Sequence, residues 1–231
     1  MHDKIKQKRD NGDFIMDKKY PVVKRGTPVI DGHLDDIYLD SYCLVEEPMV
    51  NLNYALKGDD YVKKYMSNTC GKVYYLFDDK YVYACAVIHD ETICSRGEEW
   101  RMSTTWPWND DGAEIYFYFS DDDVFAIHSD AHNIRSVVDE HIHPNRTSAL
   151  KYHDTPREDW AATIDRENNN YTVEIRVPLP DYIKEGSVIG TLLEIDDRWT
   201  VENDPGESMV GAIFSIPQYP GDESHFVKLG E

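Results

Sequence analysis

The sequence predicts an all-β fold, an antiparallel β-sandwich with short helical insertions, and three observations carry that expectation. Its 16 Tyr, 7 Phe and 5 Trp fall largely in short runs where apolar and polar positions alternate. The runs are four to eight residues long, the length of a strand with one face on a core. Between them stand clusters of Asp, Asn, Gly and Pro that punctuate strands, with almost no helical periodicity.

Taken in order, the expected strands cover residues 73–77, 81–88, 113–119, 124–127, 171–177, 188–195 and 210–216. Asp78, Asp79 and Lys80 mark the first tight turn. Ser120 to Asp123 mark a second, Asn168 to Asn170 a third, Lys184 to Gly186 a fourth, and Asn203 to Gly206 a fifth. Residues 35–42 and 59–66 read as short helices. Cys43, Cys70, Cys85 and Cys94 show none of the close spacings of zinc ribbons or redox motifs, and Cys85, inside the apolar run 81–88, reads as a buried free thiol.

Lys and Arg number 24 against 44 Asp and Glu, a net charge of −20, which repels phosphate backbones and anionic lipid and argues against nucleic acid and membrane as partners. No run of about 18 apolar residues is present, and the first thirty residues carry charges where an export signal places its apolar stretch. A lone chain of this kind stays inside the cell, whereas a piece cut from a larger secreted protein does not, so the compartment is open. Residues 1–19, with six Lys or Arg among Asp and Gly, read as a mobile tail or an expression remnant, and residues 20–231 as one domain.

Four stretches, in order, resemble carbohydrate-binding module family 9: GTPVIDG at 26–32 with LDDIY at 34–38, LFDDKYVY at 76–83 with VIHD at 87–90, PWNDDGAEIYF at 107–117, and YTVEIRVP at 171–178 with VIG at 188–190. The resemblance implies a sandwich that binds a mono- or disaccharide unit of an oligosaccharide or polysaccharide, often at a reducing end, without chemistry. It further implies structural calcium, with no ligands assignable among so many Asp, and a place within or beside a glycoside hydrolase. Carried over by motif, Trp108 is one aromatic wall of the sugar slot, Glu114 a carboxylate accepting sugar hydroxyls, and Asn133 with Arg135 a "Q-x-R"-like pair in which Asn is shorter than Gln. The family's second wall is a C-terminal Trp, and here Tyr219 in PQYPGD at 217–222 takes roughly that place.

The residues themselves point the same way. In AEIYFYF at 113–119, one face carries Ala113, Ile115, Phe117 and Phe119, and the other Glu114, Tyr116 and Tyr118. Asn133 and Arg135 alternate onto one face, so neighbouring strands are expected to present carboxylate, amide and guanidinium together. Sugars call for that mixture: C–H patches stack on aromatic rings and paired hydroxyls suit two-pronged hydrogen bonding. The plainer alternative for Glu114 and Arg135 is an exposed cross-strand ion pair with no ligand. Trp100, Trp106 and Trp108 share the connection 98–109 and fit either a binding loop or a cover over the open end of the sandwich, with Trp199 a secondary slot candidate and Trp160 in the core. The rival function is a metal-dependent hydrolase on the His128–His143 segment, where His128, His132, His141 and His143 stand among Asp130, Asp139 and Glu140 in a spacing that matches no metalloprotease motif.

Overall fold

A computed structural model describes residues 20–43, 69–94, 111–120, 123–131, 135–140, 151–152, 160–198, 209–214 and 226–231. At 126–128, 130, 135–140, 151–152, 198 and 209–214 it describes the backbone alone. The described strands are β1 (Val22–Arg25), β2 (Cys70–Phe77), β3 (Tyr81–His89), β4 (Gly112–Ser120), β5 (Asp123–Asp130), β6 (Arg135–Glu140), β7 (Lys151–Tyr152), β8 (Trp160–Asp165), β9 (Asn170–Pro178), β10 (Val188–Arg198), β11 (Met209–Phe214) and β12 (Phe226–Leu229). One helix, α1 (Asp36–Leu39), lies among the described residues. It is a single turn within the expected 35–42, while the expected helix 59–66 and the tail 1–19 lie outside the described residues. No helix among the described residues is long and apolar enough to cross a membrane.

Two layers of strands enclose the core. One runs β7-β6-β5-β4-β10-β12, with β11 also on β10, and the other runs β2-β3-β9-β8. β1 joins them, since Val22 and Val23 pair with β12 and Lys24 and Arg25 pair with β2. Both of those pairings are parallel and every other described pairing is antiparallel, so the expected antiparallel pattern holds except at this seam. A four-residue strand with one buried residue, Val23, carries too little pattern to announce itself. β1 can change partners because each layer needs only two of its residues to close an edge.

Alternation dictates which residues enter the core. Val73, Tyr75 and Phe77 from β2 and Val173, Ile175 and Val177 from β9 meet Ile115 and Phe117 from β4 and Leu193 and Ile195 from β10. Tyr75 meets Phe117 edge-on with ring centroids 6.0 Å apart. Gly71 faces Ile195 so closely that a Cβ there would lie 2.8 Å from its Cδ1. Trp160 and Cys85 are buried as expected, the latter as a free thiol whose ionisation burial suppresses.

The turns follow from local chemistry. Asp78 accepts the backbone N–H groups of Lys80 and Tyr81 at 2.7 and 2.9 Å, which closes the β2–β3 hairpin. Asp165 does the same for Glu167 and Asn168, with Asn169 left-handed at φ 55° between β8 and β9.

The outward face of the β2-β3-β9 layer is sealed by residues 26–43. Tyr38 packs there on Leu76, Tyr83 and Cys85. Glu174, fully buried on β9, accepts hydrogen bonds from the backbone of Asp31 (2.9 Å) and Gly32 (3.1 Å) and from the Tyr38 hydroxyl (3.0 Å). Gly32 has φ +82°, and a Cβ on it would lie 3.1 Å from the Ala162 backbone, so the turn that brings these donors to Glu174 requires glycine.

Candidate functional site

The outward face of the other layer differs in kind. Along β4 the core takes Ala113, Ile115, Phe117 and Phe119, leaving Glu114, Tyr116 and Tyr118 on the far side. The β10 register sets Glu194 opposite Glu114 and Leu192 opposite Tyr116, and Asp196 stands one residue beyond the buried Ile195. Glu114 and Asp196 are only 7% and 5% exposed. The Tyr116 hydroxyl donates to Glu114 Oε2 at 2.5 Å, and the Tyr116 and Tyr118 rings stack at 6.4 Å with planes 17° apart.

This face holds carboxyl groups closer together than water alone would favour. Burial, and then the charge of Glu114, push Glu194 up to about 8. Burial and the neighbouring Glu114 and Glu194 raise Asp196 in the same direction. Both shifts favour the neutral carboxylic acid, which carries a donor O–H besides its acceptor oxygen. Such a set both accepts from and donates to hydroxyl groups, next to stacked phenol rings.

Of the residues singled out in sequence, Glu114 lies on this face, while Trp108, Asn133 and Tyr219 fall outside the described residues. Arg135 opens β6, where the register pairs it with Ser129, itself opposite Ala113. Glu114 stands opposite His128, and His128 opposite Ser136. The two residues expected side by side thus occupy alternate rows of the ladder. Glu194 and Asp196 were missed; the signal was present, because LLEIDD at 192–197 inserts acids at the outward positions of an otherwise apolar strand.

A second cluster sits on the inner side of the same strands. Asp90 follows β3, Asp111 precedes β4 and Asp197 points inward from β10; all three are buried, and one carboxylate oxygen from each lies within 4.8 Å of the others. Thr69 donates to Asp197 at 2.7 Å, the Thr92 backbone to Asp90 Oδ1 at 2.7 Å and the Cys94 backbone to Asp111. Asp90 Oδ2 is buried and accepts no hydrogen bond from an N–H or hydroxyl donor among the described residues, while the Asp111 carboxyl group lies within hydrogen-bond reach of the Asp90 side chain. Burial and the charge of Asp197 push Asp90 up to about 6. Ligands about 2.3–2.6 Å from one ion stand no more than about 5 Å apart, so an all-oxygen set of this span suits a hard divalent cation such as calcium. The rival hydrolase gains no support here: this set contains no histidine, and His132, His141 and His143 lie outside the described residues.

Comparison with known proteins agrees with this architecture. A family model described as carbohydrate family 9 binding domain-like matches residues 30–209. A family 9 carbohydrate-binding module from Caldicellulosiruptor kristjanssonii, solved in complex with cellotriose, superposes with TM-score 0.59 at 17% identity over 92% of this chain and 94% of that one. The same description with glucose gives TM-score 0.59 and 17% identity over 92% and 97%. No curated protein matches the chain in sequence.

Proposed function

Because the chain belongs to the carbohydrate family 9 binding domain-like family, whose model matches well over half of it, we propose that it binds a sugar unit of an oligosaccharide or polysaccharide without transforming it. The observation that carries this reading is the outward face of β4 and β10, where Glu114, Glu194 and Asp196 gather beside Tyr116 and Tyr118. Pyranose hydroxyls can donate to carboxylate oxygens and accept from carboxylic acids, and pyranose C–H patches suit a half-buried phenol pair. The sugar-bound modules of similar fold support it. Trp108 as a stacking wall, Asn133 as a polar partner and Tyr219 as a second wall complete the site on the strength of the family motif, which also names Arg135, although the register sets Arg135 in the row of Ala113 and not of Glu114.

The placement of the acids supports binding without cleavage. Glu194 is directly opposite Glu114 in one ladder, so both meet the same side of a sugar laid over the sheet. Glycoside hydrolysis places its two carboxyl groups on either side of the scissile bond. Residues 20–231 act as one module in this reading, beside or within a glycoside hydrolase. The calcium expected of the family fits the buried all-oxygen set of Asp90, Asp111 and Asp197, one carboxylate oxygen of each lying within 4.8 Å of the others. There it would supply positive charge that ties β3 to β4 and β10.

Calorimetric titration with cello- and xylo-oligosaccharides tests the reading, with borohydride-reduced forms in parallel. Saturable binding with no cleavage on long incubation is the expected result, weaker for reduced chains where the end is what is held. Absence of binding to every sugar, or turnover lost on replacing His132 or His141, overturns it.

A further inference from the structure

β10 carries a glycine in mid-sheet, Gly190, and the register sets an aromatic residue opposite it on either side, Tyr118 of β4 and Phe226 of β12. A Cβ on Gly190 would lie 3.0 Å from the Phe226 ring and 3.1 Å from Tyr118 Cβ, so the ring reaches over β10 because that position is bare. Ile189 and Val227 enter the core, which turns Gly190 and Phe226 to the outward face that carries Glu114, Tyr116 and Tyr118. The row continues beyond β12. Val22 pairs with Lys228 in parallel, so Tyr20 and Phe226, each two residues earlier, stand side by side, with ring centroids 6.4 Å apart and planes at 35°. Tyr118, Phe226 and Tyr20 thus line one row across the sheet, all half-buried. Stacking of Tyr118 on Tyr116 joins that row to the hydroxyl that donates to Glu114.

We propose that the row of Tyr118, Phe226 and Tyr20 is a second contact surface of the sugar site, on which a flat, uncharged, β-1,4-linked glucan or xylan chain lies beyond the unit held at Glu114. The inference rests on the sugar-binding reading above. In such a chain the linkages are equatorial, both faces of each ring are C–H surfaces, and the whole is a ribbon. A row of rings set across a sheet is complementary to a ribbon, and desolvating aromatic faces against C–H surface drives the contact. Continuity fixes the occupant, because the row starts at the tyrosine pair of the recognition face. β4 and β12 lie two strand spacings apart, about 9–10 Å, so the row carries the site past the length of a single pyranose ring. Lys228, two residues on from Phe226 and on the same face, adds a donor for hydroxyl oxygens at the edge of the row. The acids at the other end disfavour uronic-acid chains, whose carboxylates would meet Glu114 and its neighbours.

Calorimetric titration of the full chain with cellobiose, cellotetraose, maltose and maltotetraose separates the row from the slot. Cellotetraose is expected to bind at least about fivefold tighter than cellobiose. Maltotetraose, whose α-linkages coil the chain off a flat surface, is expected to gain nothing over maltose. Phe226→Leu keeps an apolar cover on Gly190, and Tyr20→Ser lies ahead of β1. Each is expected to weaken cellotetraose about three- to tenfold, with cellobiose affinity and melting temperature close to those of the parent. Equal affinity of the parent for cellobiose and cellotetraose, or unchanged cellotetraose binding in both variants, overturns the inference and leaves the slot in place. A parent that sediments as a dimer, with Phe226→Leu a monomer, assigns the row to contact between copies and overturns it as well. If no sugar binds the parent, the sugar-binding reading fails and carries this inference with it. Tyr20→Ser decides the matter even if Phe226→Leu does not fold.

Discussion

Two buried glutamates, Glu174 and Glu114, stand on the outward rows of opposite layers, each with a tyrosine hydroxyl donating to it. Glu174 is sealed by the chain, with Asp31 and Gly32 supplying backbone donors and Tyr38 a third, among apolar neighbours such as Leu76 and Cys85. Glu114 instead faces Glu194 and lies beside Asp196, so its side of the sandwich gathers acceptors and acids. A carboxylate that the fold has supplied with donors is structural. A group of carboxyls packed against one another presents acceptor oxygens and acid O–H groups together, the mixture a ligand rich in hydroxyls can use. On the proposed function the difference gives stability to one face and recognition to the other, and substitution can break that assignment.

The largest effect is expected at Glu174. Glu174→Ala strands two backbone N–H groups and a phenol in the interior, and losing partners of that kind costs about 3–5 kcal/mol in total. Denaturant unfolding is the measurement. Sugar affinity of the folded fraction should be unchanged, and a loss of affinity comparable to the loss of stability would show that the two faces are not separate.

Next comes the pH response of the same residue. Burial raises Glu174 from 4.5 to about 7 against three hydrogen bonds that favour its ionised form. A carboxyl raised in the folded state costs nothing below its unfolded value, where both states are protonated. Its ionisation then weakens the fold progressively as pH rises from about 4.5 to 7 and beyond. The full contribution is up to about 3 kcal/mol at 1.36 kcal/mol per pH unit. Glu174→Gln keeps an acceptor for the two backbone N–H groups and offers an amide to the Tyr38 hydroxyl. Its stability between pH 5 and 8 should therefore fall less steeply than that of the parent, and parallel slopes would show that Glu174 does not titrate in this window.

On the recognition face, Trp108→Ala is expected to lose about 1.5–3 kcal/mol of sugar binding with the fold intact. Glu114→Gln should lose about 1–3 kcal/mol, since it retains shape but weakens charge-assisted hydrogen bonds. In both variants the melting temperature should stay close to that of the parent, the reverse of the pattern at Glu174. Unchanged affinity in Glu114→Gln would move the slot elsewhere.

How much of this was legible in the sequence depends on the range of the interaction. The strand at 113–119 was readable because alternation is local, and it correctly divided Ile115 and Phe117 from Glu114 and Tyr116. Asp78 was readable as a turn residue because its hydrogen bonds reach only two or three positions along the chain, whereas Asp165, which closes the turn marked by Asn168 to Asn170 in the same way, was not singled out. Asp90, Asp111 and Asp197 come from three strand ends that meet only through the topology, and no spacing rule gathers them among so many acids. Glu174 and Asp31-Gly32 each lay in a quoted motif, but that one holds the other depends on the 26–43 segment crossing the layer. The parallel seam at β1 was hidden for the same reason.

The smallest expected effect concerns Arg135. An exposed ion pair between facing residues contributes about 0.2–1 kcal/mol, and residues that do not share a contact combine additively within about 0.5 kcal/mol. The register sets Arg135 in the row of Ser129 and Ala113 and sets Glu114 in the row of His128, so the two belong to alternate rows. A double-mutant cycle on stability with Glu114→Gln and Arg135→Gln should accordingly give a coupling below about 0.5 kcal/mol. The same cycle read on cellotriose affinity separates the remaining possibilities. If the sugar is clamped between the two groups, each single substitution weakens binding and the double loses less than the sum, because one end of the clamp is worth little without the other. If Arg135 serves another role, its substitution leaves affinity unchanged and the recognition face is carried by Glu114, Glu194 and Asp196 alone. A stability coupling above about 1 kcal/mol would instead place the two side chains in contact and make Glu114 as internally satisfied as Glu174, removing the contrast between the faces.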